Sequence, residues 1–277
     1  MTATQPQSPA QGWARGEFQV AYVSDPGLVR TSNQDRVFVA GAERIDHPAG
    51  LLLAVADGMG GHQGGETASE TLVEVLATHY DSSDPTQALD GVKKLLLDAN
   101  RKLYRMSRSD PDLQGIGTTL TAAIVTQGLK IQVLQVGDSR AYRRRGQGLT
   151  QVTIDHSFVN DELRKGNITP EEAENHPKRN VITRAVGTRP YLDIDTYEIE
   201  LEPEDDFLLC SDGLHGMLDD SRLLDVLRRD LTATEAVREL VNEAYACGAR
   251  DNIGIVLVRK KPQSGLFRRL MALFSRS

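Results

Sequence analysis

Four aspartates stand where an apolar stretch meets a turn, and their placement constrains the chain more than any other feature. Asp57 follows LLLAVA and precedes GMGG, Asp138 follows LQVG, Asp212 follows FLLCS and precedes Gly213, and Asp251 sits in ARDN just before IGIVLV. A single Asp-Gly after a strand is ordinarily only a turn. Four in one chain carry more weight. Clustered carboxylates repel one another and desolvate badly unless a cation joins them, so their convergence implies a divalent-metal site. Hard oxygen donors without a His or Cys set select Mg2+ or Mn2+ over zinc. Paired hard cations bridged by a carboxylate hold a water, lower its pKa and clamp both oxygens of an in-line displacement at phosphorus, which makes phosphate-ester hydrolysis the natural chemistry. At Gly58 the missing side chain lets a backbone carbonyl approach a metal, while Gly60 and Gly61 let the chain turn sharply; an ordinary loop is the plainer reading of the same glycines.

The rest of the pattern predicts an α+β fold. Residues 1 to 15 are polar, Gln-rich and without periodicity, and read as a flexible arm, with the fold starting near Glu17. Strands are expected over Phe18–Ser24, Arg36–Ala40 and Leu51–Ala56, the last almost wholly apolar and therefore buried. Helical spacing follows from Glu66 to His79 and again over Pro85–Arg108. Thr118–Thr126, Lys130–Val136 and Ser139–Arg145 read as a meander with tight turns. The polar segment 156–189, with helical patches at Val159–Lys165 and Pro170–Asn175, reads as a lid-like surface excursion. Strands at Asp193–Leu201, Asp206–Cys210 and Ile253–Arg259 and helices at Ser221–Arg229 and Thr232–Ala246 complete the chain. Strands and helices come in blocks, not in strict alternation, which favours antiparallel sheets in layers. One catalytic domain over 16–260 and a tail over 261–277 are expected.

Composition narrows the function. Hydrophobic residues make up 39% and charged residues 26% of the 277, enough for a sizeable core. A net charge of −7, from 32 Lys plus Arg against 39 Asp plus Glu, offers no broad basic face and argues against nucleic acid as a partner. The two cysteines, Cys210 and Cys247, make neither a disulfide framework nor a zinc site. No signal-peptide pattern and no long apolar run occurs, so a cytoplasmic enzyme is expected. Nothing specifies an interface between copies, and a monomer is expected.

Seven motifs in register resemble the type-2C metal-dependent serine/threonine protein phosphatases in their single-domain bacterial form: RTSNQD at 30–35, VADGMGGHQGGE at 55–66, GTTLTAAIV at 117–125, VGDSRAYR at 136–143, DHSFVNDELRKGNITPEEAENHPKRNVITRAVGT at 155–188, LLCSDGLHGML at 208–218 and ARDNIGIVLV at 249–258. The resemblance implies a four-layer α-β-β-α sandwich with metals in a channel at one end. It implies that Asp57 bridges two ions and holds the nucleophilic water, that Gly58 is a backbone-carbonyl ligand, and that Asp212 and Asp251 bind the second ion. Asp138, with Asp212, resembles the ligand set of a third, weaker ion. Asp35 resembles the acid that holds metal-bound water, and Arg30 the arginine that grips the substrate phosphate, a task that suits a bidentate guanidinium. The implied substrates are phosphoserine and phosphothreonine proteins, bacterial serine/threonine kinases among them.

Two departures from the family pattern stand out. Gln34 occupies a position where many relatives carry Glu, which costs metal affinity at most. Animal relatives place a histidine directly after the Asp-Gly pair, whereas Met59 follows here; His62 is the candidate general acid, with a turn-capping histidine as the alternative. His176, in HPKRN, is a candidate contact for the phosphopeptide or else a surface histidine. From Arg259 to Ser277 there are six basic residues and no acid, with Leu266, Phe267, Leu270, Met271, Leu273 and Phe274 on one helical side. That pattern suits weak membrane or partner docking, peripheral to the inner membrane face, or packing on the domain. Two rival functions are a catalytically silent phosphoprotein-binding relative and a two-metal phosphodiesterase. The complete set Asp57, Asp138, Asp212 and Asp251 argues against the first, and the acidic balance and ordered motifs against the second.

Overall fold

The computed structural model describes residues 5–15, 18–40, 50–61, 64–79, 88–126 and 130–260. Its strands are β1 (Gln11–Arg15), β2 (Phe18–Asp25), β3 (Asp35–Val39), β4 (Leu51–Met59), β5 (Gly117–Thr118), β6 (Leu120–Val125), β7 (Lys130–Val136), β8 (Arg140–Arg145), β9 (Gly148–Gln151), β10 (Asp195–Glu200), β11 (Asp206–Cys210) and β12 (Ile253–Lys260). Its helices are α1 (Gly64–His79), α2 (Ala88–Ser109), α3 (Phe158–Lys165), α4 (Pro170–Glu174), α5 (Asp212–His215), α6 (Asp220–Leu227) and α7 (Ala233–Ala246).

Alternation along each strand builds the layers. In β4, Leu52, Ala54 and Ala56 point to α1 and α2, while Leu51, Leu53 and Val55 point into the space between two sheets. This two-sided burial is why the run is apolar throughout. In β11 and β12, Leu208, Cys210, Ile255 and Leu257 pack under α6 and α7, and Phe207, Leu209, Val256 and Val258 fill the inter-sheet core. One sheet runs β1-β2-β12-β11-β8-β9 and the other β10-β7-β6-β4-β3, with β5 beside β4. The strand pairs are antiparallel in both. The result is the expected α-β-β-α sandwich of two antiparallel sheets.

The flexible arm expected over 1–15 is corrected in part, because Gln11–Arg15 is a strand paired with β2, from Gln11 opposite Tyr22 to Arg15 opposite Phe18. Its sequence, QGWAR, has one large apolar residue, half-buried Trp13, so no alternation betrays it. Its strand form comes from the open edge of β2, whose backbone groups it covers. The lid segment holds α3 and α4 where helical patches are expected, each with a side-chain N-cap, Ser157 and Thr169. Its two ends are not surface: His156, Ser157, Ala185 and Val186 are buried. The C-terminal tail at 261–277 lies outside the described residues.

Candidate active site

Strand register gathers the aspartates at one end of the sandwich. Asp35 opens β3 directly opposite Asp57 near the end of β4. Cys210, the last residue of β11, lies between Arg140, the first of β8, and Ile255 near the start of β12. Asp212 follows that strand end, Asp251 precedes β12, and Asp138 sits in the turn from β7 to β8. Asp57 lies at the electrostatic centre, exposed to the charges of Asp35, Asp212, Asp138 and Asp251.

Neutral hydrogen bonds fix this end. The Ser211 hydroxyl donates to Asp35 Oδ2 at 2.5 Å and accepts from the Gly254 N–H at 2.8 Å, tying one sheet to the other. The Asp57 carbonyl accepts from Thr119 N–H at 2.8 Å and Thr118 Oγ1 at 3.0 Å. Asn252 accepts the Gln34 N–H at 2.8 Å and donates to the carbonyls of Pro26 and Ser32 at 2.9 Å, holding the loop that carries Arg30. Gly58 donates its N–H to the Gln34 carbonyl, and a Cβ there would lie 2.0 Å from the Gly65 carbonyl. Close approach of α1 is therefore a second reason for a glycine at this position, besides access to its carbonyl.

The carboxylates are held out of their ordinary range. Burial raises Asp35 to about 7, with the charges of Asp212 and Asp251 adding to it. Burial raises Asp138 to about 7 and Asp212 to about 6, in each case helped by a neighbouring aspartate. Asp57 is also raised, by burial first and by Asp35 next. Hydrogen bonds with Asp57 pull both Asp35 and Asp212 part of the way back, so Asp57 links an acid of each sheet. Asp138 Oδ1 is buried without a hydrogen-bond partner. An orphaned carboxylate oxygen beside mutually repelling acids is a donor set that a hard divalent cation satisfies. Among the described residues no group of three or more His, Cys, Asp or Glu side chains is set to hold an ion on its own. Mg2+-like ions, which keep several waters and take one or two carboxylates, do not require such a group.

Arg30 reaches this cluster: its Nη2 donates to Asp251 Oδ2 at 2.6 Å, and its side chain remains more than half exposed. His176 is elsewhere in the fold's contacts, stacked on Phe158 with ring centroids 5.3 Å apart and accepting the Lys178 N–H through Nδ1 at 3.0 Å. His62 lies outside the described residues. Two other histidines hold the Asp138 turn. His215 Nε2 donates to the Asp138 carbonyl at 3.0 Å, and burial, with the Arg140 charge, lowers its pKa to about 3, so it stays neutral. His156 Nδ1 accepts the Gly137 N–H at 3.1 Å, leaving Nε2 to face Asp195 at 3.2 Å. Ser211, His215 and Asn252 carry no periodic signal; their one trace in sequence is adjacency to Asp212 and Asp251.

The family model described as Protein phosphatase 2C matches residues 29–250. The chain belongs to the protein phosphatase 2C family. Among its relatives in this family, Serine/threonine phosphatase stp of Listeria monocytogenes is 35% identical over 241 residues, covering 86% of this chain and 94% of that one. The crystal structure of the Mycobacterium tuberculosis serine/threonine phosphatase PstP/Ppp matches with a TM-score of 0.78 at 37% identity, covering 88% of this chain and 99% of that one. A structure of the PstP catalytic domain in complex with two manganese ions matches with a TM-score of 0.76 at 35% identity, over 88% and 98% of the two chains.

Proposed function

We propose that this chain is a metal-dependent protein phosphatase that hydrolyses phosphoserine and phosphothreonine in proteins, its phosphoprotein substrates including a bacterial serine/threonine kinase. The observation that carries the reading is the meeting of Asp35 and Asp57 from one sheet with Asp212 and Asp251 from the segments flanking β11 and β12 of the other, beside the half-exposed side chain of Arg30. Family membership and the manganese-bound relative support it.

The residues divide the work by position. Asp57 and the Gly58 carbonyl would hold a first divalent ion, Mn2+ or Mg2+, and Asp57, Asp212 and Asp251 a second. Asp138 with Asp212 would take a weaker third; the unpartnered Asp138 oxygen supports that role. Bound ions of this kind supply an acidified water and offset the charge that develops at phosphorus. Asp35 orients water at the cluster by accepting its hydrogen bond. Arg30 grips two oxygens of the substrate phosphate and so must release Asp251, a change of partner that its exposure allows. His62 is the proposed proton donor to the leaving serine or threonine oxygen, and His176 with the lid meets the flanking peptide. The chain works as a monomer, and the tail at 261–277 gives weak docking to a membrane or partner. Liposome co-sedimentation with and without residues 262–277 measures that last contact.

The deciding assay is phosphate release from a phosphothreonine peptide with Mn2+, with Mg2+ and with excess chelator. Turnover that needs metal and is lost in Asp57→Ala and Asp212→Ala is the expected result. A wild-type protein that binds metal and phosphopeptide yet releases no phosphate would point instead to a phosphoprotein-binding module.

A further inference from the structure

The segment before the first strand is wired to the loop that presents Arg30. Asp25, the last residue of β2, is completely buried, and its donors are neutral. Ser8 gives its N–H to Oδ2 at 2.7 Å, Gly27 gives its N–H to Oδ1 at 2.8 Å, and the Tyr245 hydroxyl from α7 donates to Oδ1 at 2.6 Å. The Gln7 side-chain amide adds a bond to the Gly27 carbonyl at 2.9 Å. Gly27 is the turn into the Arg30 loop, with φ of +72°, and a Cβ on it would lie 2.3 Å from the Asp251 carbonyl. Next to it, Leu28 donates its N–H to the Ala249 carbonyl at 2.8 Å. Ala249 itself has a positive φ of 34°, a conformation that non-glycine residues keep only when their surroundings enforce it.

A fully buried carboxyl group that satisfies three donors holds the segments carrying them in one arrangement. What this one fixes is the relation of three segments: the strap at 7–8, the helix α7, and the turn three residues before Arg30. We propose that Asp25 is a positioning residue for substrate phosphate, acting through Arg30, and that the strap at residues 5–10 is part of that device. Asp25 touches no substrate. It sets where the Arg30 loop leaves the sheet, and thereby how the guanidinium stands against the carboxylates. The inference rests on the reading that Arg30 grips the substrate phosphate.

A double-mutant cycle on the full chain tests it, using phosphothreonine peptide kinetics at saturating Mn2+ for wild type, Asp25→Asn, Arg30→Ala and the double variant. Asp25→Asn is expected to raise KM about tenfold with kcat within about twofold, as misplacement of a binding group does. In the Arg30→Ala background the same change is expected to leave KM where it was. An equal rise of KM in both backgrounds, or unchanged KM in folded Asp25→Asn, overturns the proposal. If Arg30→Ala alone leaves KM unchanged, it is the reading of Arg30 that fails. Tyr245→Phe, which removes a single donor, and deletion of residues 1–10 repeat the cycle should Asp25→Asn not fold. Either must show the same dependence on Arg30, and additive effects overturn the proposal.

Discussion

At the scale of single residues, Asp35, Asp138 and Asp212 give the metal-free protein a pH dependence that surface aspartates lack. Their pKa values rise from an ordinary 3.8 to about 7, 7 and 6 on folding, so the folded chain binds these protons more tightly than the unfolded one. Stability from such a group is full below the ordinary carboxylate range and is lost as pH rises through the folded value. Chelator-treated protein is therefore expected to lose about 5 °C or more in Tm between pH 5 and pH 7.5. Added Mn2+ should restore more at pH 7.5 than at pH 5, because ions compete with protons for the same oxygens. Thermal scans at both pH values, with chelator and with Mn2+, check this; a Tm of the chelated protein that climbs with pH would refute it. Asp138 and Asp212 were legible in the sequence because each stands where an apolar run meets a turn, whereas Asp35 was marked only by the family resemblance. Their supports were not: Ser211 and Asn252 act through one hydroxyl and one amide, which leave no spacing to read.

At the scale of elements, the lid is pinned at both ends while its middle stays exposed. Arg140 grips Asp155 through Nε and Nη2 at 2.7 to 3.0 Å where the lid begins. Where it ends, Arg184 donates to Asp195 Oδ1 at 2.8 Å, and His156 crosses from the first end to the same carboxylate. Removing the first anchor with Asp155→Asn leaves a mostly buried guanidinium without its countercharge and should cost about 2 kcal/mol, less than a fully buried pair because Arg140 keeps a quarter of its surface exposed. Hydrogen exchange should then quicken over 156–189 while β4 and β11 stay protected; uniform quickening of the whole domain would mean that the lid has no separate stability. The lid's two helices show in the sequence as short helical patches within a polar segment, and α3 and α4 form there. The strand β1 could not, since one tryptophan makes no alternation and the edge of β2 decides its form. The four-residue helix α5 was hidden for a similar reason, being too short to show a period.

At the scale of the whole molecule, the sandwich puts its least stable chemistry where its two sheets meet. Alternation in β4, β11 and β12 determines that each sheet has one face for helices and one for the other sheet, so the four layers follow from the residues themselves. Which strands lie side by side does not follow from alternation, because β2 pairs with β12 across almost the whole chain. That long-range closure is what brings Asp25 and Arg30 to Asp251, and it explains why the carboxylate cluster emerges only in the folded chain. The same closure concentrates negative charge, so function and stability are expected to oppose each other there. Asp57 faces four other aspartates and hydrogen-bonds with two of them, Asp35 and Asp212. Asp57→Asn puts a neutral amide, which donates to the carboxylates on either side, in place of an acid that cannot ionise there without repelling its neighbours. The metal-free variant at pH 7.5 should be more stable than wild type by about 1 to 2 kcal/mol. It should also lose phosphate release by more than about a thousandfold. Wild type should gain about 2.7 kcal/mol from Mn2+ at a hundredfold excess over its Kd, and the variant much less. Denaturant titrations with and without Mn2+ separate these effects. A variant that is less stable than wild type in chelator would mean that Asp57 supports the fold instead of straining it.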